Sequence, residues 1–172
     1  VFQRNAINSE YAHTIVESKN AYLSFSVTNN SENVFYSKCI DGSRDIMDSF
    51  IVVNNSEGIY ENIEAQNNYN SEYLLLCRSC INCYYSIDCV NSSNCFMSSN
   101  LRNKQYYFRN KKCTKEEYEK EITKLNLGSR AARKQLFEEF KELQNNAIYR
   151  FANNTRCVDV TGNDLVDVKN GK

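Results

Sequence analysis

The chain reads as a mainly β protein, a β-solenoid of twelve- to thirteen-residue coils followed by a helical hairpin and short C-terminal strands. Three observations predict this. Like residues recur in columns at spacings of 12 and 13. Asparagine, at 25 of 172 residues, replaces the usual turn formers, since proline is absent and glycine occurs only five times. Past about residue 110 the apolar spacing changes to that of an amphipathic helix.

The first column is Asn8, Asn20, Asn33, Asp45, Gly58, Asn70, Asn82 and Asn94. Asn and Gly are the residues that best tolerate the left-handed conformation of a tight turn, so the column marks a corner repeated along a rod. One residue on, Ser9, Ala21, Val34, Ile46, Ile59, Ser71, Cys83 and Cys95 are uncharged and small or aliphatic, which predicts that they point inward. Three further, Ala12, Ser24, Ser37, Ser49, Asn62, Leu74, Ser86 and Ser98 form a second inward column. Ile15, Val27, Ile40, Val52, Ala65, Cys77, Cys89 and Leu101 form a third. A second turn column, Glu17, Asn29, Gly42, Asn54, Asn67, Ser79, Asn91 and Asn103, closes the coil, which reads strand, strand, turn. At about 4.8 Å per coil, eight coils make a rod of roughly 38 Å.

The string Cys83-Tyr84-Tyr85-Ser86-Ile87-Asp88-Cys89 is C-x-x-S-x-x-C, and it recurs with substitutions in every coil. It resembles the repeat of the small disulfide-stapled insect antifreeze β-solenoids, a resemblance that covers residues of about 8–103 and implies the fold alone. Those proteins bind ice through outward Thr-x-Thr ladders. The matching pairs here are Asn20/Tyr22, Asn33/Phe35, Asn82/Tyr84 and Asn94/Phe96, so ice binding is rejected. The run Asn82-Cys83-Tyr84, Asn94-Cys95-Phe96, Asn100-Leu101-Arg102-Asn103-Lys104-Gln105-Tyr106-Tyr107 and Thr114-Lys115-Glu116-Glu117-Tyr118-Glu119 is similar to a family of uncharacterised cysteine-rich repeat proteins from uncultivated bacteria and environmental metagenomes. There, similar repeats precede such a segment and a helical section. Some members of that family carry zinc ribbons, but no paired CxxC modules of that type occur here, so neither metal binding nor any activity is carried over.

Thr114 and Glu117 are spaced as a capping box, which predicts a helix over about 115–126 with Tyr118, Ile122 and Leu125 on one face. Leu127-Gly128-Ser129 supplies a stop and a new N-cap. A second helix over about 130–150 places Ala132, Leu136, Phe140, Leu143, Ala147 and Phe151 on one stripe. A hairpin of this kind is expected to cover the open end of the solenoid, where unpaired backbone and apolar core would otherwise be exposed. The resulting organisation is solenoid over 1–110, hairpin over 111–151 and, over 152–172, further strands or a second repeat region beginning with Cys157-Val158-Asp159-Val160 and Leu165-Val166-Asp167-Val168. The sequence starts at Val1 rather than Met and stops inside what reads as a further repeat, as a processed chain or excised fragment would.

Twenty-one basic residues balance twenty-one acidic ones, so no global field recruits nucleic acid or an anionic membrane surface, and no run of 18 apolar residues spans a bilayer. No cofactor motif is present. Cys77, Cys80, Cys83 and Cys89 are spaced so that they could hold zinc or an iron–sulfur cluster. Buried thiols and disulfides are the other readings, and the shared columns favour thiols serving as small core residues. His13 is the only histidine and falls in a partly exposed column with Phe25, Lys38, Phe50 and Ile63. Asp41, Asp45, Asp48, Glu61 and Glu64 share no column with a basic partner and do not read as an acid–base site. The candidate binding surface is aromatic: Tyr22, Phe35, Tyr36, Tyr60, Tyr84, Tyr85 and Phe96 follow the asparagine column by two or three residues and are expected to form an outward stripe. The functional expectation is a non-enzymatic scaffold acting through that stripe, in self-association or on another protein of a larger assembly. The alternative is a carbohydrate-binding or carbohydrate-active β-helix.

Overall fold

From Ser9 to Leu101 a buried residue recurs at every third position, with one extra residue inserted at two places. From Thr14 to Asn100 the residue ahead of each buried position has φ between 46° and 65°. A left-handed residue redirects the chain, so one every three residues closes a coil with four corners after twelve residues. The computed structural model, which describes residues 2–149, 152, 154, 156–162 and 165–171, stacks these coils into a β-solenoid of about nine turns.

Stacking is parallel and in register. The chain of partners Ala21, Val34, Ile46, Ile59, Ser71, Cys83 and Cys95 runs up one flank, and Ile15, Val27, Ile40, Val52 and Ala65 run up another. These two inward columns lie within strands, such as His13–Val16 and Lys19–Tyr22, and they hold the apolar core. The two extra residues both fall at one corner, where Asn29-Asn30 and Asn54-Asn55 each place two residues in the left-handed region in place of one. The thirteen-residue coils are thus twelve-residue coils with a doubled asparagine.

Between the strands the chain bends sharply, and the inward residue at the bends is usually Ser. Besides the column from Ser24 to Ser98 there is a fourth buried column, Ser18, Ser31, Ser43, Ser56, Asn68, Cys80 and Ser92, so the expected strand, strand, turn pattern is in fact four corners with four inward positions. The polar side chains are there because bends strand backbone groups inside a core with no room for water. Ser49 Oγ donates to the Met47 carbonyl at 2.8 Å and accepts the Asn62 amide of the next coil at 3.1 Å. Ser37, Ser43 and Ser56 repeat that pairing. Where Asn replaces Ser, at Asn62 and Asn68, the side-chain oxygen accepts the amide of Leu74 or Cys80. Outside, the corner asparagines bond along the rod, Asn20 to Asn33 at 2.8 Å and Asn70 to Asn82 at 2.8 Å.

The last coil ends in Gln105–Phe108, which pairs antiparallel with Lys111–Lys112. Helix α1 (Lys115–Lys124) follows, its capping box formed by Thr114 and Glu117, and it ends where Asn126 takes φ 44°. That left-handed stop falls at Asn126 rather than at Gly128. Helix α2 (Arg130–Asn146) is capped by Ser129 and buries Leu136 and Phe140. Phe151 lies outside the described residues. In the tail, Val158 bridges Lys169 in parallel, and Asp159, Asp167 and Asn170 take positive φ, the backbone signature of the solenoid coils.

The hairpin meets the rod through both of its helices. It lies along one side, with α1 over the last strand and α2 running lengthwise across several coils. Arg133 meets Glu72 and Tyr60, Phe137 meets Tyr73, Phe140 meets Tyr85, and beyond the end of α2 the Ile148 carbonyl accepts from Asn100. A helix advances about 5.4 Å per turn and a coil stack about 4.8 Å per rung, so successive helical turns meet successive coils.

Candidate functional site

The side of the rod that receives the hairpin is the aromatic one. Each coil contributes two outward residues between its first and second inward positions: Glu10-Tyr11, Tyr22-Leu23, Phe35-Tyr36, Met47-Asp48, Tyr60-Glu61, Glu72-Tyr73, Tyr84-Tyr85, Phe96-Met97 and Phe108-Arg109. The second residue of each pair from Leu23 onward is left-handed. On the other sides that position is often Asn, Gly or a small polar residue; here it is Leu23, Tyr36, Tyr73, Tyr85 or Met97 in five coils and Asp48, Glu61 or Arg109 in the other three. A side chain with a Cβ in this conformation costs roughly 1–2 kcal/mol. Five large residues thus hold left-handed positions on this side, against Ile51 and Leu76 on the next.

The hairpin divides this side into two halves. Under it, Tyr73 stacks on Tyr85 with centroids 4.5 Å apart and Phe96 on Phe108 at 5.3 Å, while Phe140 meets Tyr85 edge-on at 5.9 Å and Tyr118 meets Tyr106 at 5.9 Å. Burial pushes the Tyr73, Tyr84, Tyr85 and Tyr118 hydroxyls above the usual phenol range. The Tyr85 hydroxyl is buried with no well-formed hydrogen bond among the described residues, and the Arg133 guanidinium is the charged group beside it. Two expected members of the outward stripe are therefore core residues: Tyr85 is 2% exposed and Phe96 fully buried. They point away from the solenoid interior, as the columns predict, but the hairpin covers them. Tyr84 is half-buried beside them.

Ahead of the hairpin the same side is open. Tyr11, Tyr22, Leu23, Tyr36 and Met47 are 66%, 41%, 51%, 53% and 41% exposed, with Phe35 and Tyr60 half-buried between them. Tyr11 meets Tyr22 at 5.6 Å and 73°, and Tyr22 meets Tyr36 at 5.8 Å and 87°. The rings support one another edge to face along the rod. Where the open half meets the hairpin, Tyr60, Glu61, Tyr73, Arg130, Arg133 and Phe137 line a cleft of about 590 Å³. Tyr11, Leu23 and Met47 stand in the same two columns as the expected stripe residues and share its open half.

The five buried cysteines are distributed over the inward columns. Cys83 stacks under Cys95, Cys77 under Cys89, and Cys80 continues the serine column. All eight cysteines lie among the described residues, and no disulfide joins any two of them. Cys77 Sγ donates to the Leu75 carbonyl at 3.5 Å and accepts the Cys89 amide at 3.4 Å, which is the pairing Ser49 makes with oxygen. Burial pushes the Cys77 thiol well up, and hydrogen bonding to Cys80 does the same at Cys83. Cys77, Cys80, Cys83 and Cys89, the alternative ligand set, are spread over three inward columns, and among the described residues no three His, Cys, Asp or Glu side chains are grouped to hold a metal ion.

His13 is exposed and stacked on Phe25 at 5.1 Å and 10°, and Lys38 Nζ lies 5.7 Å from both the Phe25 and Phe50 rings. Asp41 accepts from Thr28 and Asn29, and Asp45 from Asn33. Glu64 borders a corner cleft of about 470 Å³ with Arg78 and Arg102, the latter paired with Asp88. Asp48 and Glu61 stand on the aromatic side. The five candidate carboxylates are thus spread over all four sides of the rod. No helix among the described residues is long and apolar enough to cross a membrane.

No family model, curated protein or solved structure matches the chain. The aromatic side is accordingly assigned from its geometry alone.

Proposed function

We infer that the protein is a non-enzymatic scaffold that binds another protein through the open half of its aromatic side. The observation that carries this reading is the division of that side. One half is covered by a helical hairpin of the same chain, and the other presents the same rungs of rings and aliphatic side chains to solvent. Contiguous exposed apolar surface of this kind marks interaction sites, and Tyr is favoured at their centres. Ring orientation supports a protein rather than a carbohydrate partner. A sugar chain stacks on rings lying flat to its faces, whereas Tyr11, Tyr22 and Tyr36 turn through 73° and 87° from one to the next.

The test replaces Tyr22 and Tyr36 with Ser together. Both are exposed and make no contact with the hairpin. The double variant keeps the native melting temperature within a few degrees and loses whatever association the native protein shows in analytical ultracentrifugation or with its assembly partners. Selective binding of the native protein on a glycan array, abolished by the same pair of changes, favours the carbohydrate reading instead.

A further inference from the structure

We propose that the occupant of the open aromatic half is an amphipathic α-helix of a partner protein, with basic residues flanking its apolar stripe, laid end to end with α2. This rests on reading the aromatic side as an interaction surface and names what it takes.

Helix α2 is itself the precedent. It lies along the rod so that Phe137 and Phe140 meet Tyr73 and Tyr85 on successive coils. That match depends only on the pitch of a helix and the rise of a coil, and the rise is the same in the open half. The α2 N-terminus stops over Tyr60 and Tyr73, where Arg133 lies 5.9 Å from the Tyr60 ring. The rungs Tyr11, Tyr22-Leu23, Phe35-Tyr36 and Met47 continue beyond it with nothing of the described chain upon them. Four rungs span about 19 Å, the length of roughly 13 helical residues. Left-handed Leu23 and Tyr36, half exposed, are unfavourable for an isolated rod and become useful once their side chains are covered.

Charge selects the kind of helix and its direction. The two outward columns of the open half carry Glu10, Asp48 and Glu61 and no Lys or Arg. On the covered half the docked helix places Arg133 against Glu72 at 2.5 Å, and where the rod instead presents a cation, Arg109, it answers with Glu139 at 2.6 Å. A partner helix repeating that contact places Lys or Arg against Asp48 and Glu61. The positive end of the α2 dipole, together with Arg130 and Lys134, faces the junction, so the partner brings its C-terminal end there.

The probe is a synthetic peptide carrying the α2 stripe, Ala132, Leu136, Phe140, Leu143 and Ala147, with Glu138, Glu139 and Glu142 replaced by Lys; a second peptide keeps the three Glu. Binding to the full chain is followed by fluorescence anisotropy at low and moderate salt. The Lys peptide binds at least tenfold more tightly than the Glu peptide, loses at least tenfold with the Tyr22→Ser/Tyr36→Ser protein, and loses its advantage with Asp48→Lys/Glu61→Lys. Equal binding of the two peptides, no binding at hundred-micromolar concentrations, or binding indifferent to Tyr22 and Tyr36 overturns the inference. If no helix binds but association of the native protein still depends on Tyr22 and Tyr36, the surface stands and the helical occupant falls. If nothing depends on those residues, both fall.

Discussion

At the scale of the residue, the fold turns on a side chain that can donate and accept at once. An inward Ser at a bend donates to the carbonyl two residues back and accepts an amide from the next coil, so one hydroxyl satisfies two backbone groups that water cannot reach. A thiol can do both more weakly and at longer range, which explains why Cys stands in Ser columns at Cys80 and in apolar columns at Cys77 and Cys89. The cysteines need no catalytic or metal role to account for their number. Ser49→Ala leaves the Asn62 amide and the Met47 carbonyl unpaired in a closed core and is expected to cost about 1–3 kcal/mol in urea unfolding. Ser49→Cys retains both contacts and should cost less than half as much. If the two variants are equally destabilised, the hydroxyl is a spacer and the pairing is incidental.

At the scale of the element, the coil is a closed count of twelve residues with one corner that accepts a thirteenth. Asn29-Asn30 and Asn54-Asn55 each put a second left-handed asparagine at that corner, and the columns resume unchanged on either side. Deleting Asn55 leaves Asn54 ahead of Ser56 as Gly42 stands ahead of Ser43, and the variant should keep its unfolding free energy in urea within about 1 kcal/mol of the native value. Deleting Asn67 instead leaves an eleven-residue coil and shifts every later inward residue off its column, which is expected to abolish cooperative unfolding. Three inward columns and both helices were legible in the sequence because their residues are apolar or stand at caps. The fourth column was not, because Ser18, Ser31, Ser43, Ser56 and Asn68 follow directly on Glu17, Asn30, Gly42, Asn55 and Asn67 at the second turn and read as more turn, although a small polar residue recurring there was itself the sign. Outward rings were legible as a stripe, but not which of them are covered. The stripe of α2 shows that it docks, and nothing in its spacing says upon which side.

At the scale of the molecule, the rod and its hairpin are held by different forces. The helices bind through an apolar layer, Tyr85, Phe96, Met97, Tyr118, Leu136 and Phe140, of ordinary composition. The rod is held by bonds running from coil to coil around a thread of Val, Ile, Ala, Ser, Asn and Cys, with the large rings outside. Heat capacity separates these two kinds of cohesion. Unfolding raises it in proportion to the apolar area newly wetted and lowers it for polar area. An ordinary domain of 172 residues would show an increment of about 2.1–2.6 kcal/mol/K. A core lined by hydroxyls and amides should fall clearly below that in scanning calorimetry. The curve of stability against temperature is then shallow, so the rod loses little on cooling, and a cell in cold water would find it nearly as firm as one in warm.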